Sequence, residues 1–175
     1  MKGMFSRSEF DQLFEAAYEE LRRLAARVRA HEAGQTLNPT ALVNEAYLRL
    51  LQSLPPCPES PLHFRRIVVK AMRRVLVDAA RRRKAAKRGG DPALVTFDED
   101  GLVESASVEE VIALDEMLRE LETLNPRQAQ LVELRCFGGL TLREIADELE
   151  VSESAIDREW RGAKAWISLR LRHRS

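Results

Sequence analysis

The sequence predicts an all-α protein built as two small helical domains joined by an acidic linker. Three observations carry that prediction. Apolar residues recur at helical spacing along nearly the whole chain, Gly and Pro punctuate those runs, and charge is sorted into opposed blocks. The 175 residues are enough for one ordinary domain or two small ones. With 45% apolar and 32% charged residues, a core-forming chain is expected rather than a disordered one. There is no run of about 18 apolar residues to cross a membrane, and MKGMFSRSEFDQLF has no secretory apolar stretch. A cytoplasmic protein without a membrane partner is expected. Cys57 and Cys136 match no zinc spacing and form no CxxC pair, so they read as reduced structural thiols.

The first helix is set by Phe10, Leu13, Phe14, Ala17, Leu21, Leu24 and Val28, one apolar stripe, with Gly34 as its stop. In LNPTALVNEAYLRLLQSLPP, Thr40 is the expected N-cap. Leu42, Val43, Ala46, Tyr47, Leu50, Leu51 and Leu54 form the buried face, and Pro55-Pro56 the stop. A third helix starts near Pro61. Phe64, Ile67, Val68, Ala71, Met72, Val75, Leu76 and Ala79 line one side, while Arg66, Lys70, Arg73 and Arg81 are expected to point away from it. Gly89-Gly90 is its expected end. The stretch GGDPALVTFDEDGLVESAS is turn-rich and acidic and reads as a linker, with a few strand-like residues at 94–97. Helical period resumes with Val108, Val111, Ile112, Asp115 and Leu118. In NPRQAQLVELRCFGG, Asn125 caps, Pro126 sits at N1, Gln128 at N3, and Gly138 is the natural residue after the helix.

The zero net charge conceals the sorting. Residues 64–88 hold eleven bases against Asp78, a net of +10, and residues 91–122 hold eleven acids against Arg119, a net of −10. The tail 158–175 is +5, six bases against Glu159. Basic blocks of this density point to a polyanion, and the acidic block between them to a segment that avoids it.

The most specific local pattern is LTLREIADELEVSESAIDREWRGAKAWI. Thr141 and Glu144 form a capping box, Ile145 and Leu149 face inward, and Ala146 permits a close helix crossing. A tight turn and a second cap, Ser152, precede Ile156, Trp160, Ala163 and Ile167 at helical spacing. This is a helix-turn-helix, whose second helix lies in the DNA major groove. Glu150 stands in the turn where Gly or Asn would more easily be left-handed, and Asp157 and Glu159 put acids on the recognition helix. Those acids either repel phosphate or accept from cytosine N4.

Taken in order, these parts resemble a bacterial sigma factor of the extracytoplasmic-function (ECF) type, in the sigma-70 family. NPTALVNEAYLRLLQ is similar to region 2.2, HFRRIVVKAMRRVLVDAARRRKAAKRGG to regions 2.3 and 2.4, and the segment from LNPRQAQ to AKAWI to region 4. The resemblance implies a sigma region 2 bundle over 5–90, a linker over 91–107 and a sigma region 4 helix-turn-helix over 108–172. It implies that core RNA polymerase docks on Asn44, Glu45, Arg49 and Gln52, and that Arg66, Lys70, Arg73, Arg74 and Arg81 melt and hold the −10 element. Duplex contacts at the −35 element fall to Ser152, Glu153, Ser154 and Arg158, with Arg161 and Lys164 on phosphate. Core RNA polymerase and promoter DNA are the implied partners, an anti-sigma factor a further class that the resemblance allows. No cofactor, metal or catalysis is implied. The recognition helix departs from the related subgroup, with Ala155-Ile156-Asp157-Arg158 where Thr-Val-Lys-Arg is more usual. A stand-alone helix-turn-helix regulator has no need of a second basic helical domain, and a nucleic-acid enzyme would need a carboxylate or His/Cys constellation. His31, His63 and His173 are scattered.

Overall fold

The structure, a computed structural model, describes residues 6–30, 38–53, 55, 57–86 and 108–172. The expected stops at Gly34 and Gly89-Gly90, the linker 91–107 and the strand-like residues 94–97 lie outside the described residues. Among those described there are seven helices and no strand: α1 (Arg7–Ala30), α2 (Pro39–Gln52), α3 (Pro61–Ala86), α4 (Val108–Leu124), α5 (Pro126–Cys136), α6 (Leu142–Glu148) and α7 (Glu153–Arg172). None is long and apolar enough to cross a membrane.

Helix α2 packs between α1 and α3, and an aromatic knot ties the three together. Phe10 stacks on Tyr47 with ring centroids 6.0 Å apart, and Phe64 meets Phe10 and Phe14 edge-on at 6.1 and 6.3 Å. Phe64 is therefore a core residue, as its place in the apolar stripe implies. On the other side α3 packs against α4 and α5, so it is covered on two flanks. Helices α5, α6 and α7 then close a second small bundle, with Ile145, Ala146, Ile156, Trp160, Ala163 and Ile167 all buried. One continuous apolar core runs through both halves of the chain.

The local stops and starts follow from capping chemistry, with two corrections. Helix α2 is capped by Asn38, whose Oδ1 accepts from Ala41 N at 2.7 Å, and not by Thr40. Pro39 decides this: it fits the first helical position, where no N–H is needed, which moves the cap one residue before it. At the end of α5 the left-handed residue is Gly139, at φ 67°, rather than Gly138. Gly138 is small for a different reason. A Cβ there would stand 2.5 Å from Leu134 O and 3.0 Å from Val69 of α3, so the glycine lets the two halves touch. Asn125 and Thr141 cap as expected, the latter with the full reciprocal capping box to Glu144.

Candidate nucleic-acid and polymerase interfaces

The helix-turn-helix is formed by α6 and α7. Its turn is closed by Val151 N donating to Ala146 O at 3.1 Å, and Glu150 takes the left-handed conformation at φ 53° that its position demands. Ser152 Oγ accepts from Ala155 N at 3.3 Å and starts α7. Burial of Ile156, Trp160, Ala163 and Ile167 fixes the helix rotation, each of the larger side chains contributing roughly 1.5–3 kcal/mol. That rotation leaves Ser152, Glu153, Ser154, Arg158 and Arg161 exposed on one side, with Lys164 half-buried beside them. Of the three acids of α7, Glu153 is exposed in the first turn and the other two are paired. Glu159 receives Arg127 of α5 at 2.9 Å, and Asp157 pairs with Arg161 one turn on at 2.6 Å.

Helix α3 carries the other candidate surface, and one of its residues is misplaced by the sequence reading. Arg73 was expected to point outward with Arg66, Lys70 and Arg81; it is buried, its side chain 8% exposed. Its Nε donates to Asp115 Oδ1 and its Nη1 to Glu133 Oε1, both at 2.9 Å, while Nη2 reaches Asp115 O at 3.0 Å. Its guanidinium also lies 5.8 Å from the centre of the Phe137 ring. The physical reason is that α3 is packed on two sides, so a residue off the first apolar stripe still lands under α4 and α5. Asp115 and Glu133 are themselves buried, and a buried carboxylate needs a cation. Lys70 and Arg81 remain half-exposed but are also tied. Lys70 Nζ is 2.9 Å from Glu122 Oε1, and Arg81 is 3.3 Å from Asp115 Oδ2, which Arg119 approaches at 3.0 Å as well. The Lys70 hydrogen bond holds the Glu122 carboxyl below its ordinary range. Arg66 and Arg74 are exposed. A cleft of about 560 Å³ runs beside this face, where His63, Arg66, Lys70 and Arg127 confront Glu122 and Glu159.

The polar side of α2 is mixed. Asn44 and Gln52 are exposed, and Tyr18 donates to Asn44 Oδ1 at 3.5 Å. Arg49 is bound to Asp78 of α3 at 2.7 Å and approached by Glu45 at 3.8 Å.

The family model described as ECF sigma factor matches residues 6–173. The chain belongs to the ECF sigma factor family. No curated protein and no solved structure matches it. The match spans both helical halves of the sigma factor, so the N-terminal helices belong to the same family pattern as the helix-turn-helix. The family acts in transcription initiation, binds DNA and is not a family of enzymes.

Two features of the sigma factor were missed in its sequence. Leu48 is 52% exposed and lies one turn from both Asn44 and Gln52, so the candidate polymerase face carries an apolar residue at its centre. The i, i+4, i+8 spacing of these three was the available signal. The second is a set of ion pairs that cross from α1 and α3 to α6. Arg27 is 2.9 Å from Glu144 and donates to Gly139 O at 3.2 Å, and Arg65 pairs with Glu148 and, at 2.6 Å, with Glu20. Partners so distant along the chain leave no periodic trace.

Proposed function

We propose that this sigma factor binds core RNA polymerase and confers promoter-specific initiation through both promoter elements. Residues 5–90 form the unit for polymerase and the −10 element, 91–107 the linker and 108–172 the unit for the −35 element. Polymerase docks on the exposed side of α2, through Asn44, Leu48 and Gln52, with Glu45 and Arg49 at its edge. The observation that carries the reading is the exposure of one polar side on α7 together with a second basic helix, α3, within a single family match. Arg158 reaches base edges from the leading turns of α7, flanked by Ser152, Glu153 and Ser154, while Arg161 and Lys164 approach phosphate. On α3, Arg66, Lys70, Arg74 and Arg81 track the backbone of the melted −10 strand, where cations and not aromatic stacking supply the affinity. Arg73 joins them only if α4 and α5 withdraw.

Mixing the protein with a compatible core polymerase should give a larger complex and run-off transcripts from a genomic library, with start sites sharing two upstream elements. A protein that binds duplex DNA specifically yet never associates with core polymerase would be a stand-alone regulator instead.

A further inference from the structure

We propose that Asp157 is a specificity-determining residue of the −35 contact, its carboxylate accepting a hydrogen bond from cytosine N4 in the major groove. The inference rests on the reading of α7 as the −35 helix. Of the two roles open to an acid on that helix, Asp157 takes the second: it accepts from a base rather than repelling phosphate.

The three acids of α7 stand in different surroundings. Glu159 accepts from Arg127 Nε through both oxygens, at 3.0 and 2.9 Å, and its side chain is 26% exposed. It faces α5 and is spent there. Glu153 is exposed in the first turn and has no ion-pair partner among the described residues. Asp157 lies in the second turn with its side chain 46% exposed. It follows Glu153 and Ser154 by one turn and precedes Arg161 by one, so it borders the exposed leading side of the helix. Of the three, Asp157 alone combines exposure with a counter-charge on the same helix.

Arg161 Nη2 stands 2.6 Å from Asp157 Oδ2. Seen from a phosphate the two charges cancel, so the carboxylate enters the groove without net repulsion. Oδ2 is taken by Arg161, and Oδ1 is left as an acceptor. Arg161, its side chain 72% exposed, keeps further N–H donors for phosphate. An acceptor at a base edge needs a donor opposite it. In the major groove cytosine offers its N4 amino group with no acceptor beside it. Adenine offers N6 next to the N7 acceptor, and guanine and thymine offer acceptors. A carboxylate therefore ranks cytosine first.

The test selects bound duplexes from a randomised library with the full chain in complex with core polymerase, and sequences the bound pool. Wild type should enrich cytosine at one position of the upstream element by about fivefold or more. Asp157→Ala should abolish the preference at that position and leave the others unchanged. Asp157→Asn, which keeps the shape of the side chain, should turn it to adenine, whose N6 and N7 suit an amide. Asp157→Lys should turn it to guanine. A role in helix stability alone would weaken every position together and change the base at none. An upstream element without a cytosine position, a cytosine position that persists in Asp157→Ala, or a loss spread evenly over all positions overturns the assignment. A wild-type pool with no upstream element at all overturns the reading of α7 as the −35 helix instead.

Discussion

The basic side of α3 and the leading turns of α7 differ in what faces them. On α7 two of the three acids are paired, Glu159 by Arg127 and Asp157 by Arg161, and Ser152, Glu153, Ser154 and Arg158 stay exposed. On α3 acids from other helices pair with Lys70, Arg73 and Arg81, and Arg73 is buried between Asp115 and Glu133, while Arg66 and Arg74 stay exposed. Two basic helices, net +8 on α3 and +2 on α7, thus stand in different states, one with its leading arginine exposed and one with a central arginine covered. The difference teaches that a basic helix is not by itself a nucleic-acid surface. What matters is whether its counter-charges are local or come from elements that can leave.

The largest effect expected from this contrast is on stability. Arg73→Ala leaves Glu133 without its buried cation and should cost about 3–5 kcal/mol in urea unfolding. Arg158→Ala on α7 should stay within about 0.5 kcal/mol of wild type. Equal losses would erase the distinction between the two helices. Next comes the point where the halves touch. Gly138→Ala places a Cβ against Leu134 O and Val69, which should cost about 1–3 kcal/mol and loosen the contact between α3 and α5.

On the open helix the expectation is in binding instead. Arg158→Ala should weaken a cognate −35 duplex by about 1–3 kcal/mol and relax its base preference, whereas Arg161→Ala should weaken all duplexes alike and lower the salt slope by about 1. Equal loss on cognate and random duplexes for Arg158→Ala would reassign it to phosphate.

The reading of the fold from sequence succeeded mostly where the cause was local, although the start of α2 and the left-handed glycine after α5 were each misplaced, by two residues and by one. The Thr141–Glu144 box, the Asn125 cap, the left-handed Glu150 and the buried stripe of α7 all follow from spacings of a few residues. The outward placement of Arg73 failed because one apolar stripe reports one packed face, and α3 has two. A clue was present in the partners. Asp115 lies on the apolar side of its helix between Val111 and Leu118, and Glu133 between Val132 and Leu134. Acids in such positions require a buried cation, and α3 is the densest source of one. The candidate −10 and −35 residues were legible as a basic block and a helix-turn-helix, but which cations of α3 are free depends on pairing across 34 to 60 residues.

The smallest expected effect is on acid sensitivity. Glu122 is held below its ordinary 4.5 first by the Lys70 hydrogen bond. For Glu144 burial pushes upward, but hydrogen bonds from Thr141 and Arg27 outweigh it and the net shift is also downward. A carboxyl depressed by folding contributes stability above its unfolded value and loses it as pH falls through the folded one. The urea midpoint should therefore fall between about pH 5 and pH 3, and Glu122→Gln should flatten that fall.

The most direct measurement is the separation of the halves in the free protein. Fluorophores on the exposed natural Cys57 and on Leu169→Cys, exposed on α7, report it by energy transfer; Cys136, whose thiol burial pushes up to about 12, stays unlabelled. High transfer in the free protein that drops on unfolding in urea is the predicted result. Transfer that is low from the start would contradict the closed arrangement of α3 beneath α4 and α5.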